Sequence, residues 1–230
     1  MRSNLDKQLD TLNQEMIRMG MLCETAISMS SDAVLRHDAA EAKKLPDLLE
    51  QIHDKDKQIE SVCLMIILQQ QPVASDLRLV SSALKMVTDM DRIGVQSNDI
   101  AEIVTMKGIE GPIDRSIPVR EMADAVIHMV TAAVDAFVKR DDNMAHSVVK
   151  YDDKVDSCFD RVKEKLAEVL KRTDSVTGRD PETGLDAVAV LDILMITKYL
   201  ERIGDHAVNI ARWVIFSITG IDEKHEGRIT

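Results

Sequence analysis

The chain has little cysteine, few aromatic residues and fewer basic than acidic residues. Its 230 residues include one Trp, two Tyr and three Phe, all in the second half of the sequence. The three cysteines, Cys23, Cys63 and Cys158, lie far apart and form no Cys-x-x-Cys pair. An odd number of isolated cysteines is typical of buried thiols in a reducing compartment rather than of a disulfide framework.

The shortage of positive charge restricts the partners that the protein can bind. The chain carries 40 acidic and 29 basic side chains, for a net charge of -11. Nucleic-acid backbones and anionic membranes attract an excess of Lys and Arg. The balance therefore excludes nucleic acid as the main partner, leaves the membrane to be met only through other proteins, and favours cations and basic protein surfaces.

Several sequence features of membrane proteins and enzymes are also missing. No segment approaches the roughly 18 unbroken apolar residues of a membrane span. The charged beginning of the chain does not resemble a secretion signal, so we expect a cytoplasmic protein. There is no Gly-rich phosphate loop, no G-x-S-x-G and no Cys-His signature. Since nothing in the sequence nominates a nucleophile, we do not expect an enzyme.

Apolar residues recur at steps of three and four along most of the chain and predict six long helices. The predicted helices cover about residues 5–30, 38–71, 75–106, 118–138, 148–169 and 186–219, with Pro46 in an early turn or at a kink of the second. No segment alternates as a strand would. Gly108, Gly111 and Pro112 mark a linker. The sequence thus predicts an all-α protein of two tandem three-helix bundles, residues 1–112 and 113–230.

A short internal repeat supports this division. Asp91-Arg-Ile-Gly-Val95 in the third predicted helix returns 110 positions later as Glu201-Arg-Ile-Gly-Asp205 in the sixth. Each copy places a glycine inside a helix, where it costs about 1 kcal/mol relative to Ala. Such a glycine indicates close approach by another group, either a ligand or a tightly packed helix.

Carboxylates on the apolar helix faces are the candidate functional groups. Two pairs, Asp56 with Glu60 and Asp156 with Asp160, share an i, i+4 spacing and lie 100 positions apart. Glu201 and Asp205 form a third pair, so each pair lies on one face of its helix. Buried carboxylates need a nearby cation because an unpaired charge costs several kcal/mol.

The spacing alone allows two kinds of cation as partners of these carboxylates. Basic side chains on neighbouring helices, Arg92 and Arg202 among them, could form ordinary ion pairs. A metal held by oxygen ligands alone is the other possibility, and such ligands suit Mg, Mn or oxidised iron better than a structural zinc ion. His206 and Asn209 lie beside or one turn beyond Asp205 and are secondary candidates.

A di-iron protein is an alternative interpretation of a carboxylate-rich bundle. Such proteins carry two Glu-x-x-His motifs on facing helices. Only Glu50-Gln-Ile-His53 has this spacing here. One possible function is therefore that of a metal-binding helical bundle, or of a di-iron enzyme or storage protein.

The duplicated motifs, together with Gln71-Pro-Val-Ala-Ser-Asp-Leu-Arg-Leu-Val80, make the chain resemble the PhoU family of phosphate-signalling regulators. The resemblance implies two three-helix bundles with pseudo-twofold symmetry in a cytoplasmic, homodimeric protein. It also implies a negative regulator that restrains the high-affinity phosphate ABC transporter. The expected partners are the transporter's ATPase subunit and a phosphate-sensing histidine kinase.

The resemblance further implies a cofactor, iron first, with Mg, Mn and Zn as alternatives, held by carboxylates. Carried over by position, the metal ligands are Asp56, Glu60 and Asp91 in the first half and Asp152, Asp156, Asp160, Glu201 and Asp205 in the second. Val95 departs from the family pattern, which has an acid there. We therefore expect the first site to be weak or vacant and the second to bind more tightly.

Overall fold

A computed structural model describes residues 2–106, 113 and 116–221, and these residues are almost entirely helical. The helices are α1 (Arg2–Arg36), α2 (Ala39–Ala42), α3 (Leu45–Gln70), α4 (Ser75–Thr105), α5 (Val119–Lys139), α6 (Asp142–Arg172) and α7 (Ala187–Thr219). The six long helices confirm the prediction, and α2 is an additional helix of four residues. The described part of the chain contains no β-strand, only an isolated bridge between Arg179 and Asp186.

The long helices form two sets of three, as predicted. In the first set α1, α3 and α4 pack against one another, and α5, α6 and α7 do the same in the second. The sets join through α1 against α5 and α4 against α7. Asp32 near the end of α1 binds Arg120 near the start of α5, whereas Glu24 contacts Thr131 further along, so these two helices run antiparallel. Helices α3 and α6 each pack within their own set and make no major contact between the sets.

The same turn follows the first helix of each set. His37 and Arg140 adopt left-handed conformations with φ of 53° and 52°. Asp38 and Asp141 come next, and each side chain accepts hydrogen bonds from backbone amides at the start of the following helix. Such a cap satisfies amides that have no partner inside the helix. The chain therefore reverses direction in the same way in both halves.

The predicted second helix is divided in the structure. Helix α2 ends at Ala42, and α3 begins at Leu45 with Pro46 in its first turn. Proline is tolerated there because the first amides of a helix have no intrahelical acceptor. The predicted domain boundary at residue 112 falls in residues 107–112, which lie outside the described residues, so the boundary stays a prediction.

A continuous apolar core fills both sets of helices and shows how the halves correspond. Residues of α1 and α3 match residues of α5 and α6 that lie 103 positions later. Pairs that are buried in both halves include Cys23 and Val126, Ile52 and Val155, and Ile59 and Val162. After the loop between α6 and α7 the interval becomes 110, as in Ile93 and Ile203.

A buried aspartate organises the loop that connects α6 to α7. The Asp180 carboxylate accepts hydrogen bonds from the Arg172 guanidinium at 2.8 and 3.2 Å and from Thr183. These bonds, led by the one from Arg172, hold the pKa of Asp180 well below its usual range. The loop thereby fixes the start of α7 relative to the end of α6.

None of the described helices is long and apolar enough to span a bilayer.

Candidate metal centre

Carboxylates from α6 and α7 meet in the groove between these two helices. Asp152 lies against Gly204, and its Oδ1 would be 3.3 Å from a Cβ placed on that glycine. Asp205, next to this glycine, and Asp156, one turn beyond Asp152, both act electrostatically on Asp152. Glu201 acts in the same way on Asp205. Four of the predicted ligands, Asp152, Asp156, Glu201 and Asp205, therefore lie within electrostatic range of one another between α6 and α7, with Asp156 and Asp205 exposed.

Burial and the mutual repulsion of these acids raise the pKa of two of them. Burial, followed by the charges of Asp156 and Asp205, raises the pKa of Asp152 to about 6. Burial, followed by Glu201, also raises the pKa of Asp205. Burial disfavours the charged form of each carboxylate, and the neighbouring acids add to this effect more than the nearby basic groups offset it.

Basic side chains offset the charge of this group only in part: the charge of Arg212 lowers the pKa of Asp152 and that of Lys198 lowers the pKa of Asp205, yet both pKa values remain raised. Lys198, on the same helix, forms an ion pair with Glu201. Arg202 lies over the Tyr199 ring, 5.8 Å from its centroid. Among the described residues, an ordinary ion pair thus accounts for Glu201, while Arg212 and Lys198 act on Asp152 and Asp205 through their charge.

Asp160 does not join the other acids. Its side chain is 70% exposed and binds Lys163, three residues along α6, at 3.1 Å. The prediction matched Asp156 and Asp160 to Asp56 and Glu60 at an interval of 100, and this match is wrong. At the structural interval of 103, Asp152 and Asp156 correspond to Leu49 and His53. Asp160 corresponds to Lys57, which is exposed like Asp160 itself.

The first-half acids form a looser group between α3 and α4. Asp91 pairs with His53, whose Nδ1 lies 2.5 Å from Asp91 Oδ1. Burial, followed by the charges of Glu60 and Asp91, raises the pKa of Asp56, and His53 opposes this shift. Glu60 itself is exposed and lines a shallow cavity of about 430 Å³ on the outer face of α3. The structure thus brings Asp56 close to Asp91 but leaves Glu60 at the surface.

The two glycines have different neighbours. A Cβ on Gly94 would meet the side chains of Ile52 and Leu49 at 2.9 to 3.3 Å, which is tight apolar packing between α3 and α4. The same atom on Gly204 would meet Asp152 and Val155 at 3.3 and 3.4 Å. Both glycines therefore allow close helix packing, but only at Gly204 does a predicted ligand use the space.

The second-half group has the chemistry of a site for a hard cation. Four carboxylates on two helices supply oxygen ligands alone, which suit Mg, Mn or iron. In the described residues, with their present side-chain positions, no three His, Cys, Asp or Glu side chains form a set close enough to hold one ion. The excess negative charge in the groove is the observation that fits a bound cation.

Two contacts between helices were not predicted from the sequence. Asp89 of α4 accepts hydrogen bonds from His206 at 2.8 Å and from Asn209 at 3.3 Å, both on α7. His206 and Asn209, considered as secondary metal ligands, thus turn toward the other half. The second contact is the His53–Asp91 pair. Neither pair shares a helix, so spacing along the sequence gave no signal, although an acid and a histidine on facing apolar stripes were available for pairing.

Comparison with known proteins decides the family. A sequence model of the PhoU domain matches two segments, residues 16–104 and 119–214. The chain belongs to the PhoU family. The phosphate-specific transport system accessory protein PhoU homolog of Pseudomonas putida is 32% identical over 221 residues, which cover 96% of this chain and 82% of that protein.

Solved PhoU structures share the fold. A crystal structure of PhoU from Pseudomonas aeruginosa matches with a TM-score of 0.80 and 30% identity, covering 94% of this chain and 99% of that one. The phosphate transport system regulatory protein PhoU from Streptococcus pneumoniae matches with a TM-score of 0.81 at 22% identity, covering 95% and 98%. These PhoU structures confirm the all-α architecture of two three-helix bundles.

Proposed function

We propose that the protein is a regulator of phosphate homeostasis that restrains high-affinity phosphate transport through protein contacts. The observation that carries this proposal is the match of both PhoU segments, together with relatives that are named accessory proteins of the phosphate-specific transport system. The ATPase subunit of the transporter and a phosphate-sensing histidine kinase are the proposed partners. The protein would bind both partners at the cytoplasmic face of the membrane.

The charge of the chain supports contacts of this kind. A net charge of -11 favours basic surfaces on partner proteins and speeds association with them at low salt. A homodimer, as the resemblance implies, is part of the proposal. We propose a regulator rather than an enzyme because no nucleophile or nucleotide-binding motif stands in the sequence.

A bound metal is the second part of the proposal. Asp152, Asp156, Glu201 and Asp205 would hold the ion, with iron as the first candidate. When bound, the ion supplies the positive charge that these four carboxylates lack. An ion bound between acids of α6 and acids of α7 would hold these helices together and stiffen the groove between them.

A gene deletion in the host organism tests the regulatory role. We expect the deletion strain to keep high phosphate uptake and high reporter output from the phosphate-responsive two-component system when phosphate is plentiful. The wild-type gene should restore repression of both. Normal uptake and reporter output in the deletion strain, together with no capture of the ATPase subunit or the kinase in pull-downs, would contradict the proposal.

The di-iron alternative makes a different prediction. It requires sustained oxidation of ferrous iron by the purified protein. In the structure Glu50 is exposed, and His53 of the same Glu-x-x-His motif pairs with Asp91. We therefore expect no turnover above that of a Glu201→Gln control, and sustained turnover lost in that control would favour the alternative.

A further inference from the structure

Helix α7 carries a stripe of exposed apolar side chains near its start. Val188, Leu191 and Met195 are 57%, 59% and 46% exposed, and the partly exposed Tyr199 follows one turn later. Their spacing places all four on one side of the helix, over about 16 Å. Such spacing is that of the seam along which one helix packs against another.

The fold does not require apolar side chains at these positions. At the interval of 110 that relates α4 to α7, the stripe corresponds to Arg78, Ser81, Lys85 and Asp89 of α4. All four are polar, although α4 packs within the first set of helices as α7 does within the second. The apolar stripe therefore belongs to the second half alone, and an exposed apolar patch of this kind is typical of an interaction surface.

Acidic side chains border the stripe at its start. Asp186 is the N-cap of α7, just before Val188, and Asp192 directly follows Leu191. Burial, followed by the charge of Asp186, raises the pKa of Asp192. Arg179 of the preceding loop lies 3.8 Å from Asp186 and so offsets only part of this charge.

Two acids of α4 border the other end of the stripe. Burial, followed by the charge of Glu102, raises the pKa of Asp99, and the charge of Arg202 opposes this shift. Arg202 lies over the ring of Tyr199, 5.8 Å from its centroid, which places Asp99 near the last residue of the stripe. At each end, these described side chains thus comprise two acids and one base, so the surface is negative.

We propose that this stripe is the docking site for an amphipathic helix of a partner protein, with apolar side chains at heptad spacing and Lys or Arg beside them. The apolar side chains would pack against Val188, Leu191 and Met195, and the basic ones would contact the bordering acids. This proposal rests on the proposed function, in which the protein acts through protein contacts, and it names the surface and the chemistry of the partner.

A second copy of the chain fits this surface poorly. It carries the same net charge of -11, and two stripes facing each other would bring like charges together. The stripe also offers only on the order of a few hundred Å², below the roughly 800 Å² per partner that a stable complex buries. A transient contact with one helix of a basic partner fits both the charge and the size of the stripe.

Substitutions taken from α4 test the docking site. The double variant Leu191→Ser and Met195→Lys replaces two exposed side chains by their first-half equivalents, so it should keep the melting temperature of the wild type. Calorimetry measures binding to the purified ATPase subunit of the phosphate transporter and to the purified cytoplasmic part of the kinase. We expect the wild type to bind at least one of them and the double variant to bind it about tenfold more weakly.

Leu68→Lys is the matched control. Leu68 is 77% exposed on α3, Lys171 stands at its equivalent position on α6, and the substitution adds the same charge. It should bind like the wild type. Equal binding by the wild type and the double variant, or a loss in Leu68→Lys alone, would overturn the docking site and leave the regulatory role intact. A wild type that bound neither protein would contradict both.

The bordering acids test the charge of the partner. The variant Asp192→Asn with Glu102→Gln should bind about threefold more weakly at low salt and lose part of the salt dependence of the wild type. Unchanged affinity and salt dependence would contradict a basic partner.

A photo-crosslinking amino acid at position 191 identifies what lies on the stripe in cells. Mass spectrometry should find a segment of the ATPase subunit or the kinase with apolar residues at steps of three and four and with Lys or Arg between them. A cross-link to a second copy of this chain, or to a segment without this pattern, would overturn the proposal.

Discussion

At the scale of single residues, Asp152 is a proposed metal ligand whose charge destabilises the folded chain. It is partly buried, faces Gly204 and has other acids for neighbours, so its charged form is unfavourable in the metal-free protein. A carboxylate in such surroundings is kept where its charge serves another purpose. A bound cation would reverse the effect, because it would attract the charges that now repel one another.

We predict that Asp152→Asn stabilises the metal-free protein at pH 7.5. The pKa of Asp152 is about 6 in the folded chain, above the value of about 3.9 for an unfolded carboxyl. The folded chain therefore loses stability through this carboxyl as the pH rises from about 4 through about 6. Below about pH 4 the carboxyl is protonated in both the folded and the unfolded chain, and this loss is absent. With allowance for solvent screening, Asn should raise the melting temperature at pH 7.5 by about 2 °C.

Thermal melts in a chelator at pH 4.5 and 7.5 measure this effect. Asp160→Asn is the matched control, since this residue of the same helix is exposed and pairs with Lys163. The gain from Asp152→Asn should be present at pH 7.5 and smaller at pH 4.5. A lower melting temperature for metal-free Asp152→Asn at pH 7.5 would show that the acids do not repel one another as described.

At the scale of helices, the sequence predicted where the helices lie along the chain more accurately than which residues of the two halves correspond. The apolar stripes located all six long helices, and Asp38 and Asp141 mark equivalent turns. The pairing of Asp156 with Asp160 was wrong because acids one turn apart recur along an acid-rich helix. Spacing within α6 cannot tell which pair faces α7. That choice depends on the neighbouring helix, where the close approach at Gly204 selects Asp152.

The packing of α6 against α7 gives a prediction of its own. A methyl group at Gly204 would lie 3.3 Å from Asp152 Oδ1, so Gly204→Ala should displace this carboxylate and weaken metal binding by about tenfold. Gly94→Ala is the matched control, because its methyl group would meet the apolar side chains of Ile52 and Leu49 instead of a carboxylate. Metal titrations followed by calorimetry should show equal affinity for Gly94→Ala and the wild type. Equal affinity for Gly204→Ala would contradict the proposed site.

At the scale of the whole molecule, the two halves share one core while their grooves have diverged. Burial is nearly the same at equivalent positions, since the core must be filled in both sets of helices. The grooves lie outside this core, so carboxylates could be exchanged for Leu49, His53 and Val95 without a change of fold. The sequence showed the duplication and the change at Val95, but the other two changes appear only when the helices are superposed.

The shared core predicts that both halves unfold together. Helices α4 and α7 pack along each other, and Asp89 binds His206 and Asn209 across this contact. Trp213 on α7 is the sole tryptophan, so its fluorescence reports on the second half, whereas circular dichroism reports on all helices. In urea, with a chelator present, the two signals should give the same midpoint.

The variant Asp89→Ala tests whether the contact between the halves carries this cooperativity. It leaves His206 and Asn209, which are partly buried, without their shared acceptor. We expect the free energy of unfolding to fall by about 1–3 kcal/mol. Because Asp89 lies in the first half, a fall of the Trp213 midpoint equal to that of the circular dichroism midpoint would show that the loss reaches the second half. Two separate midpoints in the wild type, or a Trp213 midpoint unaffected by Asp89→Ala, would mean that the bundles fold independently.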